Sequence, residues 1–241
     1  MPDFGKMKQE CLEIRNQIVD AIHNAHSGHT GGSLSSVEIL WTLYTSFLNV
    51  KPTQPSWPDR DRLVVSKGHA APALYTILAR KGFIPLEALA TLRKTGSILQ
   101  GHPDMRKTTG VEMSSGSLGM GISVGVGMAL AGRLSKKDYR VFVLVGDGEL
   151  QEGQNWEGLM AAVKYKLSRL VVIVDKNGVQ LDGTTEQIMP MLDITAKLRT
   201  FGLDVRECDG HDCASVHDAL AWATGHGEGP RAIVASTVKG K

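Results

Sequence analysis

Three apolar runs in the second half of the chain, Arg140–Val145, Leu170–Val174 and Ile233–Val238, constrain the fold more than any other feature. Each is nearly unbroken in branched aliphatic residues rather than alternating with polar ones, the pattern of a strand covered on both faces. Between the first two, Trp156, Leu159, Met160 and Val163 recur at helical spacing. Strands that alternate with helices predict a parallel sheet with helices on both sides, joined by right-handed crossovers. The expected architecture is a doubly wound α/β domain of mainly parallel strands. With no internal repeat or low-complexity linker, residues 1–241 read as a single domain.

The first half fits the same plan. Ile14, Ile18, Ala21 and Ile22 predict an amphipathic helix over Met7–Ala25. Ser33 reads as the N-cap of a second helix whose apolar side holds Val37, Leu40, Trp41 and Tyr44. Pro52, Pro55 and Pro58 break the chain into a loop, and Leu63–Val65 is a short strand running into Ser66-Lys67-Gly68-His69. Helices are expected at Ala70–Arg80 and Leu86–Lys94.

Composition narrows the function mainly by exclusion. A net charge of +2 and one short basic cluster (Arg133, Lys136, Lys137, Arg140), read as a solvated loop, call for neither nucleic acid nor an anionic membrane. No apolar run reaches the ~20 residues of a membrane span, and Met1–Glu10 has no signal-peptide core. Three cysteines without CxxC spacing read as reduced thiols, hence a cytoplasmic protein. Glycine is abundant, 27 residues, and clustered, as where backbone lies close to a ligand or partner.

In doubly wound sheets ligands bind beyond the carboxyl ends of the strands. Two strand ends carry unusual chemistry: Gly146-Asp147-Gly148-Glu149 follows Val145, and Asp175-Lys176-Asn177-Gly178 follows Val174. One strand–helix–strand unit separates them, so Asp147 and Asn177 can lie side by side. A carboxylate and an amide oxygen are half of a hard-cation site. Mg²⁺ takes few protein ligands and completes its shell with water and phosphate oxygens. The glycines beside Asp147 let backbone approach a diphosphate, and a helix starting near Glu152 turns N–H groups toward it.

A GDG segment followed about thirty residues later by asparagine, each after an apolar strand, resembles the thiamine-diphosphate signature. Gly146-Asp147-Gly148-Glu149-Leu150-Gln151-Glu152-Gly153 is similar to its transketolase form. Four further segments fall in that family's order: Ala25-His26-Ser27-Gly28-His29-Thr30-Gly31-Gly32, Ser66-Lys67-Gly68-His69-Ala70, Gly101-His102-Pro103 and Ser115-Gly116-Ser117-Leu118-Gly119-Met120-Gly121. The resemblance covers roughly residues 20–240. It implies the thiamine-diphosphate-binding fold of the diphosphate-holding type. It also implies that Asp147, Asn177 and the Val179 carbonyl bind Mg²⁺, for which Ca²⁺ or Mn²⁺ can substitute.

By the same resemblance His69, Glu152, Asn177 and the backbone of Gly148 belong to the cofactor site, and Gly116, Ser117 and Leu118 hold the aminopyrimidine. His29 and His102 would be the catalytic histidines of the substrate channel, suited to it because imidazole titrates near neutrality. Glu157 would sit at an interface between chains. His23, His26, His211, His217 and His226 are left as ordinary hydrogen-bonding residues.

The sequence departs from the family at Ser117 and Thr30, where proline is usual, and at Met120, where glutamine is usual. It stops at Lys241, before a further cofactor histidine of the family. The glutamate that activates the cofactor, the aromatic pyrimidine pocket and most phosphate-binding arginines lie in another domain of the family. The resemblance therefore implies a partner: a C-terminal transketolase subunit carrying that glutamate, in an α2β2 heterotetramer acting on sugar phosphates. The expected reaction is transfer of a two-carbon ketol unit from a ketose phosphate to an aldose. A non-catalytic subunit that kept the fold, or a protein like the deoxyxylulose-phosphate synthases, are the alternatives. A Rossmann dehydrogenase is disfavoured because Gly119-Met120-Gly121-Ile122-Ser123-Val124-Gly125 follows a polar loop and has the wrong glycine spacing.

Overall fold

The computed structural model describes residues 2–181 and 183–241. In chain order its helices are α1 Phe4–Ala25, α2 Thr30–Leu34, α3 Val37–Thr42, α4 Ala71–Arg80, α5 Gly121–Leu134, α6 Gly153–Lys164, α7 Thr185–Ile188, α8 Ile194–Thr200 and α9 Cys213–Thr224. The strands are β1 Arg62–Val65, β2 Val141–Gly146, β3 Leu170–Lys176, β4 Val179–Gln180, β5 Gly183–Thr184, β6 Asp204–Asp209 and β7 Arg231–Ser236. Five of them form one sheet in the order β1-β2-β3-β7-β6, every neighbouring pair parallel. The doubly wound α/β expectation holds.

The unbroken apolar runs are explained by two cores, one on each face of the sheet. Phe142, Leu144, Val171, Ile173 and Ile233 point into a core shared with α1, α3, α4 and α9. Val141, Val143, Val145, Val172 and Val174 point the other way, onto α5, α6 and α8. A strand whose successive side chains enter different cores has no solvent face, so neither side carries polar residues.

Several local expectations need correction. Ser33 does not cap a helix: α2 already includes it, and its Oγ donates to the His29 carbonyl at 2.8 Å. Leu86–Thr91 is a 3₁₀ segment rather than an α-helix ending at Lys94. Arg140 is not part of a solvated loop. It closes the start of β2 by donating to the buried Asp61 carboxylate at 2.7 Å. The glycine-rich run that could mimic a dinucleotide fingerprint leads into the first turns of α5. Strand β6 has no clear signature in the sequence, whereas α9 has one that the expectations above leave out: Asp212 caps it and Val216, Ala219, Leu220 and Ala223 are buried at helical spacing. The strand lies at the sheet edge with a mostly exposed sequence, Asp-Val-Arg-Glu-Cys-Asp, so no apolar run marks it.

Among the described residues no helix is long and apolar enough to cross a membrane. The three cysteines are free thiols, with Cys11 and Cys213 buried side by side and their Sγ atoms 3.8 Å apart.

Candidate active site

The strand ends singled out by sequence lie at the carboxyl edge of the sheet, and the loops that carry the histidines gather there with them. Strands β2 and β3 are neighbours in register, Gly146 beside Asp175, so their tips emerge together. The Asp147 carboxylate accepts from the Gly178 N–H at 2.7 Å and from the Gly148 N–H at 2.9 Å. Asn177 Oδ1 accepts from the Val179 N–H at 3.1 Å, turning the Asn177–Val179 segment back on itself. A buried carboxylate and the turn that carries an amide oxygen and the Val179 carbonyl therefore meet at one sheet edge. Burial raises the Asp147 carboxyl above its ordinary range, and the two glycine N–H groups oppose that shift.

Next to Asn177 lies a charge pair that sequence reasoning did not assign. Lys67 and Asp175 are both wholly buried and hydrogen-bonded to each other. Asp175 also accepts from Ser35 Oγ at 2.7 Å, Asn177 Nδ2 at 3.3 Å and Thr237 Oγ1. Lys67 reaches Ser36 Oγ at 3.1 Å. Burial pushes the Asp175 carboxyl up, but the Lys67 ammonium and the donated hydrogen bonds override it and hold the group below its usual range. The bond from Asn177 Nδ2 directs the other end of that amide, Oδ1, away from the buried pair. Both residues stand at strand ends that the sequence marks, but only the fold puts the ends of β1 and β3 within reach of each other.

Three histidines gather beside these tips. The His29 ring lies 5.8 Å from that of His69 and 5.6 Å from that of His102. His69 is driven down to about 3, first by burial and then by the Lys67 charge, so its imidazole is neutral at physiological pH. His29 is lowered in the same sense by burial, with His102, Arg93 and Lys239 adding to the effect. Backbone packs tightly around this group. A Cβ on Gly32 would stand 2.6 Å from the His69 ring, and one on Gly116 would stand 3.3 Å from the His102 ring. Only glycine lets α2 cross the imidazole this closely.

Ser117 and Leu118 are exposed on the loop beside His102, with Gly116 partly so. Gly148, in the turn after β2, spends its N–H on Asp147. Glu152 stands exposed at the N-cap position of α6, its Cβ against Gly119, and makes no capping bond with its side chain. Glu157 is exposed on α6. Lys239, which carries no signal in the sequence, donates to the Val179 carbonyl at 3.2 Å.

An acid and an amide on adjacent parallel strand tips, with histidine loops gathered over them, define a thiamine-diphosphate-binding α/β fold. The family model described as "Transketolase, thiamine diphosphate binding domain" matches residues 7–241, and the chain belongs to that family. It is 43% identical over 194 residues to a 6-deoxy-6-sulfo-D-fructose transketolase subunit of Clostridium sp. (strain MSTE9), covering 80% of this chain and 70% of that one. It is 41% identical over 240 residues to one of the subunits of the apulose-4-phosphate transketolase of Phocaeicola vulgatus, covering 98% of this chain and 85% of the relative. The transketolase structure of Campylobacter jejuni superposes with a TM-score of 0.94 at 31% identity. It covers 100% of this chain, which spans 39% of that one.

Proposed function

We propose that this chain is the diphosphate- and metal-binding half of a two-chain transketolase. The observation that carries the reading is the meeting of Asp147 with the Asn177–Val179 turn, closed by the 2.7 Å bond from Gly178. The donors are all hard oxygens: the Asp147 carboxylate, the Asn177 amide and the Val179 carbonyl. Among the described residues no group of three or more His, Cys, Asp or Glu forms a self-sufficient metal site. A single carboxylate with neutral oxygens suits an Mg²⁺ ion that takes the rest of its shell from water and a diphosphate. These residues fit the ion and the cofactor that the family uses.

When bound, thiamine diphosphate supplies the electron sink for breaking and forming the carbon–carbon bond. This chain's own part is positioning and proton handling. Asp147, Asn177 and Val179 hold Mg²⁺. The neutral His69 offers a ring N–H to a phosphate oxygen without carrying a charge that water would have to solvate. His29 and His102 would face the sugar, where an imidazole can donate to, or accept from, its hydroxyls. Gly116, Ser117 and Leu118, half-buried to exposed, would give an aminopyrimidine a stretch of backbone to rest on. Lys239, whose ammonium donates to the Val179 carbonyl, would add positive charge beside a bound diphosphate.

The substrates are sugars bearing a terminal anion. The relatives' names, one a sulfo sugar and the other a sugar phosphate, support the class without choosing within it. The second chain supplies the activating glutamate, and the active assembly is α2β2 in the cytoplasm. Calorimetry with thiamine diphosphate and Mg²⁺, on this chain together with its partner chain, tests the reading. The assembly binds both and transfers ketol units, while this chain alone turns nothing over. Robust turnover by the isolated chain, or an assembly indifferent to the cofactor, overturns it.

A further inference from the structure

Glu149 follows the metal-binding turn, is 2% exposed, and is used by none of the roles above. Its carboxylate ties together three separate segments. Oε2 accepts from the Gly146 N–H at the end of β2, at 3.1 Å. Oε1 accepts from the Gly119 N–H, at 2.9 Å, and from the Ser66 hydroxyl just beyond β1. Ser66 Oγ in turn accepts from the Gly121 N–H, the first residue of α5, at 3.0 Å. The contact is close enough that a Cβ on Gly121 would sit 2.3 Å from the Ser66 side chain. The main-chain carbonyl of Glu149 accepts from Asn155 Nδ2 at 2.6 Å, which fixes the same residue to α6.

The arrangement is selective in what it restrains. The loop between His102 and α5 is pinned at one end by Ser115 Oγ, which donates to the Val65 carbonyl at 2.8 Å. At the other end it is pinned by the Glu149–Ser66 unit through Gly119 and Gly121. Gly116, Ser117 and Leu118 lie between the pins, with Ser117 and Leu118 exposed. A buried carboxylate is costly unless its oxygens are satisfied, and an apolar side chain would fill the same space at less cost. Holding three backbone segments in register is what a carboxylate does here that a hydrocarbon cannot.

We infer that Glu149, acting with Ser66, is a positioning residue that sets the Gly116–Leu118 loop against the β1 and β2 tips, and so fixes where the aminopyrimidine end of the cofactor rests relative to its diphosphate. The inference rests on the functional reading above and assigns this pair to the organic end of the ligand rather than to the metal.

Two probes separate the two ends: Mg²⁺ with thiamine diphosphate, and Mg²⁺ with inorganic pyrophosphate, which has no ring for the loop to hold. Both are titrated calorimetrically into the assembled two-chain protein. Ser66→Ala removes the hydroxyl that bridges Glu149 to α5 and leaves the β2 tip untouched. With the hydrogen bonds to Glu149 and from Gly121 both lost, it weakens thiamine diphosphate about tenfold and changes pyrophosphate by less than about twofold. Glu149→Gln, close in volume, moves thiamine diphosphate in the same direction, with the folded state checked by thermal unfolding. Equal weakening of both probes in Ser66→Ala, or unchanged thiamine-diphosphate affinity, overturns the inference. A wild-type assembly that takes up neither probe overturns the functional reading, and this inference with it.

Discussion

Replacing Asp147 by alanine tests the site where the geometry makes its strongest demand. The carboxylate has two jobs that the structure separates. It accepts the Gly178 and Gly148 N–H groups, and it offers a negative charge at the strand tip. Alanine leaves the partly buried Gly178 N–H without an acceptor, at a cost of about 1–3 kcal/mol. That loss appears in the unliganded protein as a lower midpoint of thermal unfolding. Loss of the charge appears only when ligand is added.

Removing groups that merely support a metal ligand weakens metal binding ~10–100-fold, so removing the charged ligand itself raises the dissociation constant of Mg²⁺–thiamine diphosphate at least about 100-fold. At a ligand concentration near 100 times the wild-type dissociation constant, stabilisation of the wild type by ligand is about 2.7 kcal/mol, and that of the variant falls to about 0.4 kcal/mol. Asp147→Asn divides the two jobs. Its amide oxygen still accepts an N–H, so the unliganded protein regains most of its stability while ligand stabilisation remains lost. Calorimetry and ligand-dependent thermal unfolding of the two-chain assembly measure both quantities. Full ligand stabilisation in Asp147→Ala refutes the assignment of this strand tip to the metal.

Three further outcomes are expected. His69 stays neutral in the folded chain down to about pH 3 but takes up a proton near pH 6.5 when unfolded. The unfolded state therefore binds more protons in this window, and stability falls as pH drops through it, by up to about 1.4 kcal/mol per pH unit. Between about pH 6.5 and pH 5 the wild type therefore loses stability more steeply than His69→Gln in urea titrations, and parallel curves refute the neutral assignment. Lys67→Met strands the buried Asp175 carboxylate and destabilises by about 3–5 kcal/mol, read from urea unfolding, whereas Lys67→Met combined with Asp175→Asn recovers much of the loss. Gly32→Ala drives a methyl group into the His69 ring. It lowers stability by about 1–3 kcal/mol and weakens cofactor binding, and a silent substitution there contradicts the packing.

The strands that carry the site are legible in the chain alone. Val141–Val145 and Leu170–Val174 can be read because a strand buried on both faces must be apolar throughout, and the segments after them stand out because acids, amides and glycines follow those runs abruptly. Edge strand β6 is not legible, since a half-exposed strand keeps polar residues on its open side and loses the apolar signal. Ser33 misleads because a serine before an apolar stretch looks like a cap whether or not the chain is already helical. Only the folded chain decides that Lys67 neutralises Asp175, that Lys239 lies on Val179, and that Glu149 bridges Ser66, Gly119 and Gly146. Most of these contacts join residues far apart in the chain, and their energies depend on burial and distances of a few ångströms. A local pattern carries neither quantity; a folded sheet with aligned strand ends creates both.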